Sequence, residues 1–493
     1  MVFQKPRLVI AALRGGSGKT IVSLGLAAAW RRNRGLRVVP FKKGPDYIDA
    51  GWLAMAAAHP CYNLDPFLMK PDDMLRSFVR HSNRGDGSLI EGNRGLYDGV
   101  DVQGSFSTAE LAKLLMAPVI LVLDATKVTR TAAAMVLGCQ QMDPEVNIAG
   151  VILNQVAGKR HEKIVRGAIE RYCHVPVLGV VPKETTNFFP ERHLGLVPPQ
   201  EADNVAEALE FAAGKIGDCV DLDGLWRIAG SAGSLGWPLP SAAAVGSPLA
   251  AVGGPVVIGV VRDAAFQFYY PENLEALQEK GAVIKQISSF EDRTLPSVDA
   301  LYIGGGFPET HLEVLAANET FRASLKREIE AGLPVYAECG GLMFLCRKIR
   351  HGASEYPMLG VFPYDVILGK KPQGHGYTIM ECVGRNPYFP EGTTLKGHEF
   401  HYSRVVVDQD SPVSFVFKLT KGHGILEGWD GMCYKGVLAS YSHIHAVGNE
   451  QWAESMVSAA QGYRQEKAGG SLGRKVDPER RLSGPYEYLT VFP

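Results

Sequence analysis

Two short stretches carry residue types able to do chemistry. Residues 13–20 read LRGGSGKT and lie between an apolar run, RLVIAA, and the helix-patterned TIVSLGLAAAWRRN. A phosphate loop occupies that position. Gly15, Gly16, Ser17 and Gly18 let backbone N–H groups close around phosphate oxygens, and the helix start adds partial positive charge. Lys19 then reaches the terminal phosphates of ATP and Thr20 can ligate Mg²⁺. The full motif has glycine where Leu13 stands, so a variant loop is expected. The second stretch, VYAECGG at 335–341, reads as strand, sharp turn, helix. Cys339 at such a turn is presented above a sheet, with the following N–H groups aimed at its reaction space. ALYIGGGFPE places Gly305 and Gly306 after another strand, where they and Gly340 can form an oxyanion hole. A nucleophilic thiol needs a base, and LASYSHIHA supplies His443 and His445. An isolated cysteine is usually a buried small side chain; the glycine run and the late histidines together favour a nucleophile.

Further charged residues follow strands of the first part, hence the same sheet edge. FKKGPDYID offers Lys42, Lys43, Asp46 and Asp49, and LIEGNRGLYDG offers Glu91 and Asp98. Carboxylates there can hold Mg²⁺ on a nucleotide, and lysines can stabilise charge on a transferred phosphoryl group; singly, each is also an ordinary loop charge. Asp124, ending VILVLDA, fits a strand-end acid or a helix cap. GHEFHYS at 397–403 spaces His398 and His401 wrongly for H-E-x-x-H, so zinc is not expected and the segment reads as a strand bordering a site.

The elements that must position these residues follow from the hydrophobic pattern. Continuous apolar strands separated by helices predict a parallel sheet covered on both faces, running to about residue 215. Residues 216–255 are rich in Gly, Ala, Ser and Pro without a period and read as a linker. A second α/β alternation spans 256–450, and 451–493 reads as a helix end followed by a polar tail. The 493 residues hold 51 basic and 52 acidic side chains, a formal charge of −1, which predicts neither a nucleic-acid nor a membrane surface. The first apolar run is six residues long, too short for a signal peptide, and eight scattered cysteines contain no CxxC pair. A reducing cytoplasm is the expected location.

The combination of GGG, ECGG and a late-strand histidine resembles the class I glutamine amidotransferases, in which a cysteine attacks the glutamine side-chain amide and releases ammonia. Familiar members end in His-Pro-Glu; here the segment is His443-Ile444-His445, a habit of the cobyrinate and cobyric acid synthase branch, which uses a Cys–His pair. By that registration His443 is the base and His445 takes the place of the glutamate. RGGSGKT is similar to the loops of ParA/MinD proteins and dethiobiotin synthetase. GGSGKT, FKKGPDYID, NLDPFLM, EGNRGLYDG, STAELAKLL, YIGGGFPE, AECGG, KPQGHGYT, GHEFHYS and SYSHIH, in that order over roughly residues 6 to 450, resemble the CbiA-type cobyrinic acid a,c-diamide synthases.

That resemblance implies a dethiobiotin-synthetase-like P-loop domain joined to a class I glutamine amidotransferase-like domain. It also implies ATP- and glutamine-dependent amidation of two acetate carboxylates of a cobyrinate-type macrocycle through acyl phosphates, with a homodimer left open. Lys19 and Thr20 would bind triphosphate and Mg²⁺. Asp46 and Glu91 would ligate the metal, and Lys42 would stabilise the phosphoryl group. Asp49, Asp98 and Tyr47 would contact substrate, Tyr47 being equally a core tyrosine. The competing readings are a Ni-sirohydrochlorin or hydrogenobyrinate a,c-diamide synthase and, from another class, a ParA/MinD-like ATPase switch; the last leaves the second domain unexplained.

Overall fold

The computed structural model describes residues 2–183, 189, 191–192, 195–236, 254–407 and 413–469. Its first half is built on a seven-stranded sheet. The strand order is Tyr62–Leu64, Val38–Lys43, Gly87–Glu91, Arg7–Ala12, Val119–Asp124, Ile148–Val156 and Val177–Pro182, and every pairing is parallel. The central strands are buried on both faces, so residues 8–12 and 119–123 are apolar without alternation. The helix Lys19–Arg34 starts at Gly18 and ends at Gly35, both left-handed, and the Gly35 N–H donates to the Arg31 carbonyl.

The second half centres on a ten-stranded sheet. Five strands are parallel, in the order Ala282–Ile287, Val256–Val261, Ala300–Ile303, Val335–Glu338 and Val437–Ser440. The remainder is antiparallel and ends with Thr394–His401 against His443–Ile444. GHEFHYS is strand, as the spacing predicts. A four-stranded sheet around Lys348–His351 flanks this half.

Part of the segment expected as a linker, 216–255, is regular structure. Residues 216–219 finish the helix Val205–Cys219, and Asp221 caps a further helix, Leu222–Gly230. Both pack on the first half: Ile216, Leu222, Leu225 and Ala229 are buried in its core. Gly25 sits so close to Ile216 that a Cβ there would lie 2.2 Å from the Ile216 side chain. Burying an Ile or Leu contributes roughly 1.5–3 kcal/mol, so an Ala/Gly-rich composition masked a helix with an apolar face. Leu235–Gly236 even pairs with Val2–Phe3. The rest of the expected linker, 237–253, and the tail from 470 lie outside the described residues.

Candidate active site

The phosphate loop is shaped by its neighbours as well as by its glycines. Gly16 and Gly18 have φ of 73° and 93°, a region that favours glycine. A Cβ on Gly18 would stand 2.2 Å from Nδ2 of Asn154, which itself donates to the Ser17 carbonyl at 3.0 Å. Asn154 lies in the strand Ile148–Val156 as the register partner of Asp124, and nothing in the local sequence marks it as a support for the loop. Lys19 is buried; its Nζ donates to the carbonyls of Arg94 (2.7 Å) and Arg14 (3.3 Å), and burial lowers its pKa.

Behind the loop, Lys42 is enclosed by acids. Its Nζ lies 2.6 Å from Asp49 Oδ2, 2.7 Å from Glu91 Oε1 and 3.8 Å from Asp46 Oδ2. Burial opposes its charge, but the three carboxylates outweigh that and raise its pKa well above the usual lysine value. Thr20 Oγ1 donates to the same Glu91 oxygen at 2.9 Å. Three carboxylates against one ammonium leave excess negative charge. Asp46 shows it: burial, and next the Asp49 charge, push its carboxyl up to about 7. Glu91 Oε2 is buried with no hydrogen-bond partner. Asp98 accepts from the Gly95 N–H at 2.8 Å and lines the cavity below. Asp124 ends its strand and caps no helix, the next one starting at Thr131; it accepts from the Thr126 N–H at 2.9 Å in the turn that follows and pairs with Arg14 at 2.9 Å.

In the second half Cys339 joins the strand Val335–Glu338 to the helix Gly340–Leu345, with φ 47° and ψ −97°. That is a strained conformation for a residue bearing a Cβ, of the kind held at functional turns. The Cys339 N–H donates to the Ser440 carbonyl at 2.8 Å, and the Met343 N–H donates to the Cys339 carbonyl at 3.0 Å. The thiol is buried, which raises its pKa, while the Gly340 N–H facing the sulfur works in the opposite sense. Gly306 and Gly340 face each other: a Cβ on Gly340 would sit 3.2 Å from the Gly306 nitrogen. Gly305 packs under the His443 ring, since a Cβ there would meet His443 Cε1 at 2.4 Å.

His445 does not take the place of an acid beside His443. Its Nε2 faces Glu272 at 3.6 Å, its Nδ1 accepts from the Val447 N–H at 3.2 Å, and its ring packs on Tyr270. Alternation along an extended segment sends residues two apart to the same side, but the chain turns at His445 into the loop before the last helix.

The two halves share one cavity of about 1030 Å³. Gly16, Gly18, Lys19 and Thr20 line it together with Cys339 and His443, and so do Asp46, Tyr47, Asp49, Asp98, Phe268 and the GHEFHYS strand. Tyr47 is half-buried, lines the cavity and stacks among aromatic residues. Lys42 and Glu91 support the wall from behind. Phe268, Glu272 and Glu338 were not singled out by sequence; only Glu338, adjacent to Cys339, carried a local signal.

Residues 8–197 match the CobQ/CobB/MinD/ParA nucleotide binding domain, and residues 257–451 match the CobB/CobQ-like glutamine amidotransferase domain. Three curated relatives align along almost the whole chain, each named cobyrinate a,c-diamide synthase. That of Magnetococcus marinus is 44% identical over 92% of this chain and 97% of its own. That of Methanosarcina acetivorans is 39% identical over 94% and 97%. That of Listeria monocytogenes is 40% identical over 90% and 97%. Among the described residues no helix is long and apolar enough to cross a membrane.

Proposed function

The chain belongs to the cobyrinate a,c-diamide synthase family, and from that premise we propose how its residues divide the work. It is a carbon–nitrogen ligase of cobalamin biosynthesis that uses ATP, takes its nitrogen from glutamine and amidates a corrin-type substrate. The ATPase-switch reading is not favoured, because a glutamine amidotransferase domain fills the second half. The reaction belongs to a reducing cytoplasm, consistent with eight free cysteines.

A carboxylate is a poor electrophile without a leaving group. At the phosphate-loop end, a substrate carboxylate oxygen attacks the γ-phosphorus of ATP and the bond to the bridging oxygen breaks, giving acyl phosphate and ADP. Ammonia then attacks the acyl carbon, phosphate leaves, and a proton is lost to give the amide. Lys19 steadies the transferring phosphoryl group. Lys42 holds Asp49 and Glu91 in place, so its contribution to phosphoryl stabilisation is exerted through them. Asp98, Asp49 and Tyr47 contact the macrocycle or its intermediate.

Mg²⁺ fits the donor set. Thr20, Asp46 and Glu91 would hold it, the orphaned Glu91 oxygen and the excess negative charge being the features it satisfies. Among the described residues no three or more His, Cys, Asp or Glu side chains form a closed metal cage, and Mg²⁺ on a nucleotide needs only one or two carboxylates. When bound, it neutralises phosphate charge.

At the other end His443 takes the Cys339 proton, and sulfur attacks the glutamine side-chain carbonyl carbon. Gly306 and Gly340 N–H groups receive the oxyanion. The C–N bond breaks, His443 returns the proton to the departing ammonia, and water cleaves the thioester to glutamate. The observation that carries this division is one cavity lined both by Lys19 and Thr20 and by Cys339 and His443.

The test offers cobyrinate, hydrogenobyrinate and Ni-sirohydrochlorin in parallel with ATP and glutamine, read by mass spectrometry. Double amidation of cobyrinate is expected. It should be abolished in Cys339→Ala with glutamine and restored by free ammonia. Product with a different ring alone would reassign the substrate, and no product with any ring would refute the ligase.

A further inference from the structure

Glu338 immediately precedes Cys339 and is fully buried at the end of its strand. A carboxylate sealed from water is costly unless it is paired. Its Oε1 accepts the Ile444 N–H at 3.1 Å; its Oε2 accepts the Tyr302 hydroxyl at 2.9 Å and stands 3.5 Å from Nδ1 of His443. His443 is itself buried, and this Nδ1 has no hydrogen-bond partner. We propose that Glu338 is the positioning residue for His443, supplying the carboxylate that the SHIH segment lacks. The proposal rests on the assignment of Cys339 and His443 made above.

The backbone makes the arrangement rigid. Glu338 and Ser440 are register partners on adjacent parallel strands, so the residue before the nucleophile lies beside the chain that leads to the base. One carboxylate oxygen holds the N–H of the residue after His443 while the other faces its ring. An imidazole whose Nδ1–H points at a carboxylate leaves Nε2 free to accept a proton. The proton passes from Cys339 Sγ to Nε2 and then to the departing ammonia, and Glu338 stays ionised throughout. The 3.5 Å separation is longer than a good hydrogen bond; catalytic hydrogen bonds commonly tighten when substrate binds.

The other groups facing His443 do not compete for this role. His398 lies with its ring 4.9 Å away and is kept neutral by burial. Tyr47 lies at 5.4 Å, its phenol pKa raised by burial, and Cys339 shares the cavity as a thiol. Glu272 is engaged with His445 and with the Asn63 N–H. Glu309 lines the same cavity and its charge acts on the Cys339 thiol; among the described residues Glu338 is the carboxylate in ion-pair range of His443 Nδ1.

The experiment compares E338Q, E338D, Cys339→Ala and His443→Ala with the wild type, using glutamine or free ammonia as nitrogen source. E338Q should lower the glutamine-dependent kcat by about 10²-fold or more, with little change in the KM for glutamine. The acid limb of its residual pH profile should move to lower pH, because the imidazole loses a neighbouring anion, and E338D should recover part of the rate. Ammonia-dependent amidation at the other end serves as the control for folding. Glutamine turnover within about twofold of wild type, with an unmoved acid limb, would overturn the proposal. If E338Q also loses ammonia-dependent amidation, E338D decides. Reduced glutamine turnover with intact ammonia turnover supports the role, and unchanged glutamine turnover refutes it. Glutaminase surviving in Cys339→Ala or His443→Ala would instead refute the underlying assignment.

Discussion

Tyr47 lies flat against Phe268, ring centroids 5.0 Å apart and planes within 5°. One ring comes from the loop after Lys43 and the other from the amidotransferase half, so the stack is a shared wall between the two ends of the cavity. Tyr270 and His443 adjoin Tyr47 at 4.6 and 5.4 Å. An aromatic pair contributes about 0.5–1.5 kcal/mol beyond its buried area. Tyr47→Ala should therefore lower the ratio of amide formed to glutamate released by about twofold to tenfold, with Tyr47→Phe near wild type. An unchanged ratio would show that the stack has no part in coupling the two sites.

Lys19 should separate the two reactions. Lys19→Ala is expected to reduce amidation by about 10²-fold or more with either nitrogen source, because phosphoryl transfer precedes both. Basal glutamine hydrolysis should persist. Loss confined to the glutamine-dependent reaction would contradict the placement of ATP at this end.

Glu91→Gln removes a charge from a carboxylate that holds Thr20 and Lys42 through one oxygen and has the other unpartnered. The Mg²⁺ concentration needed for half-maximal activity should rise by about tenfold or more. Stability should fall as well, since buried Lys42 loses one of its anions. A Mg²⁺ titration identical to wild type would remove Glu91 from the metal site.

Gly306→Ala should damage the glutaminase alone. Its Cβ would stand 2.0 Å from the Ala265 carbonyl oxygen, so the loop carrying the proposed oxyanion donor must move. Glutamine-dependent turnover is expected to drop by about 10²-fold while ammonia-dependent amidation continues; equal losses in both assays would point to general misfolding.

The contact between the halves should titrate. Glu275 meets His81 (3.0 Å), Arg84 (2.6 Å) and the Tyr62 hydroxyl (2.9 Å) across it. Burial opposes ionisation, but these partners outweigh it and hold the carboxyl well below its usual value. A depressed carboxylate stabilises the folded state above its unfolded pKa of about 4.3, and that contribution fades as pH falls below it. Glu275→Gln should thus lower the melting temperature at pH 7 by about 2–4 °C for each kcal/mol lost. The gap from wild type should narrow in acid. A gap that widens in acid would reverse the assignment.

Local pattern made much of both sites legible. Gly15 to Thr20 needs only a strand, a glycine-permitted turn and a helix start, all within fourteen residues of Arg7. The Cys339 turn is equally local, and its positive φ is met where VYAECGG predicts a sharp bend. Boundaries were harder: an Ala/Gly-rich segment hid the helix Leu222–Gly230, whose apolar face became evident once it lay on the core.

What the sequence by itself determined was therefore the set of chemical groups and the backbone that presents each of them, because both follow from residue type and short-range geometry. Which group faces which was decided by tertiary structure. Glu338 and Ile444 are 106 residues apart, Asp65 and Tyr377 are 312 apart, and Glu275 meets partners on the other half of the chain. Such pairs form when sheets and halves pack, and no period or spacing along the chain encodes them. The same packing turned His445 toward Glu272 and left Glu338 beside His443, where the pattern of residues alone had placed no acid.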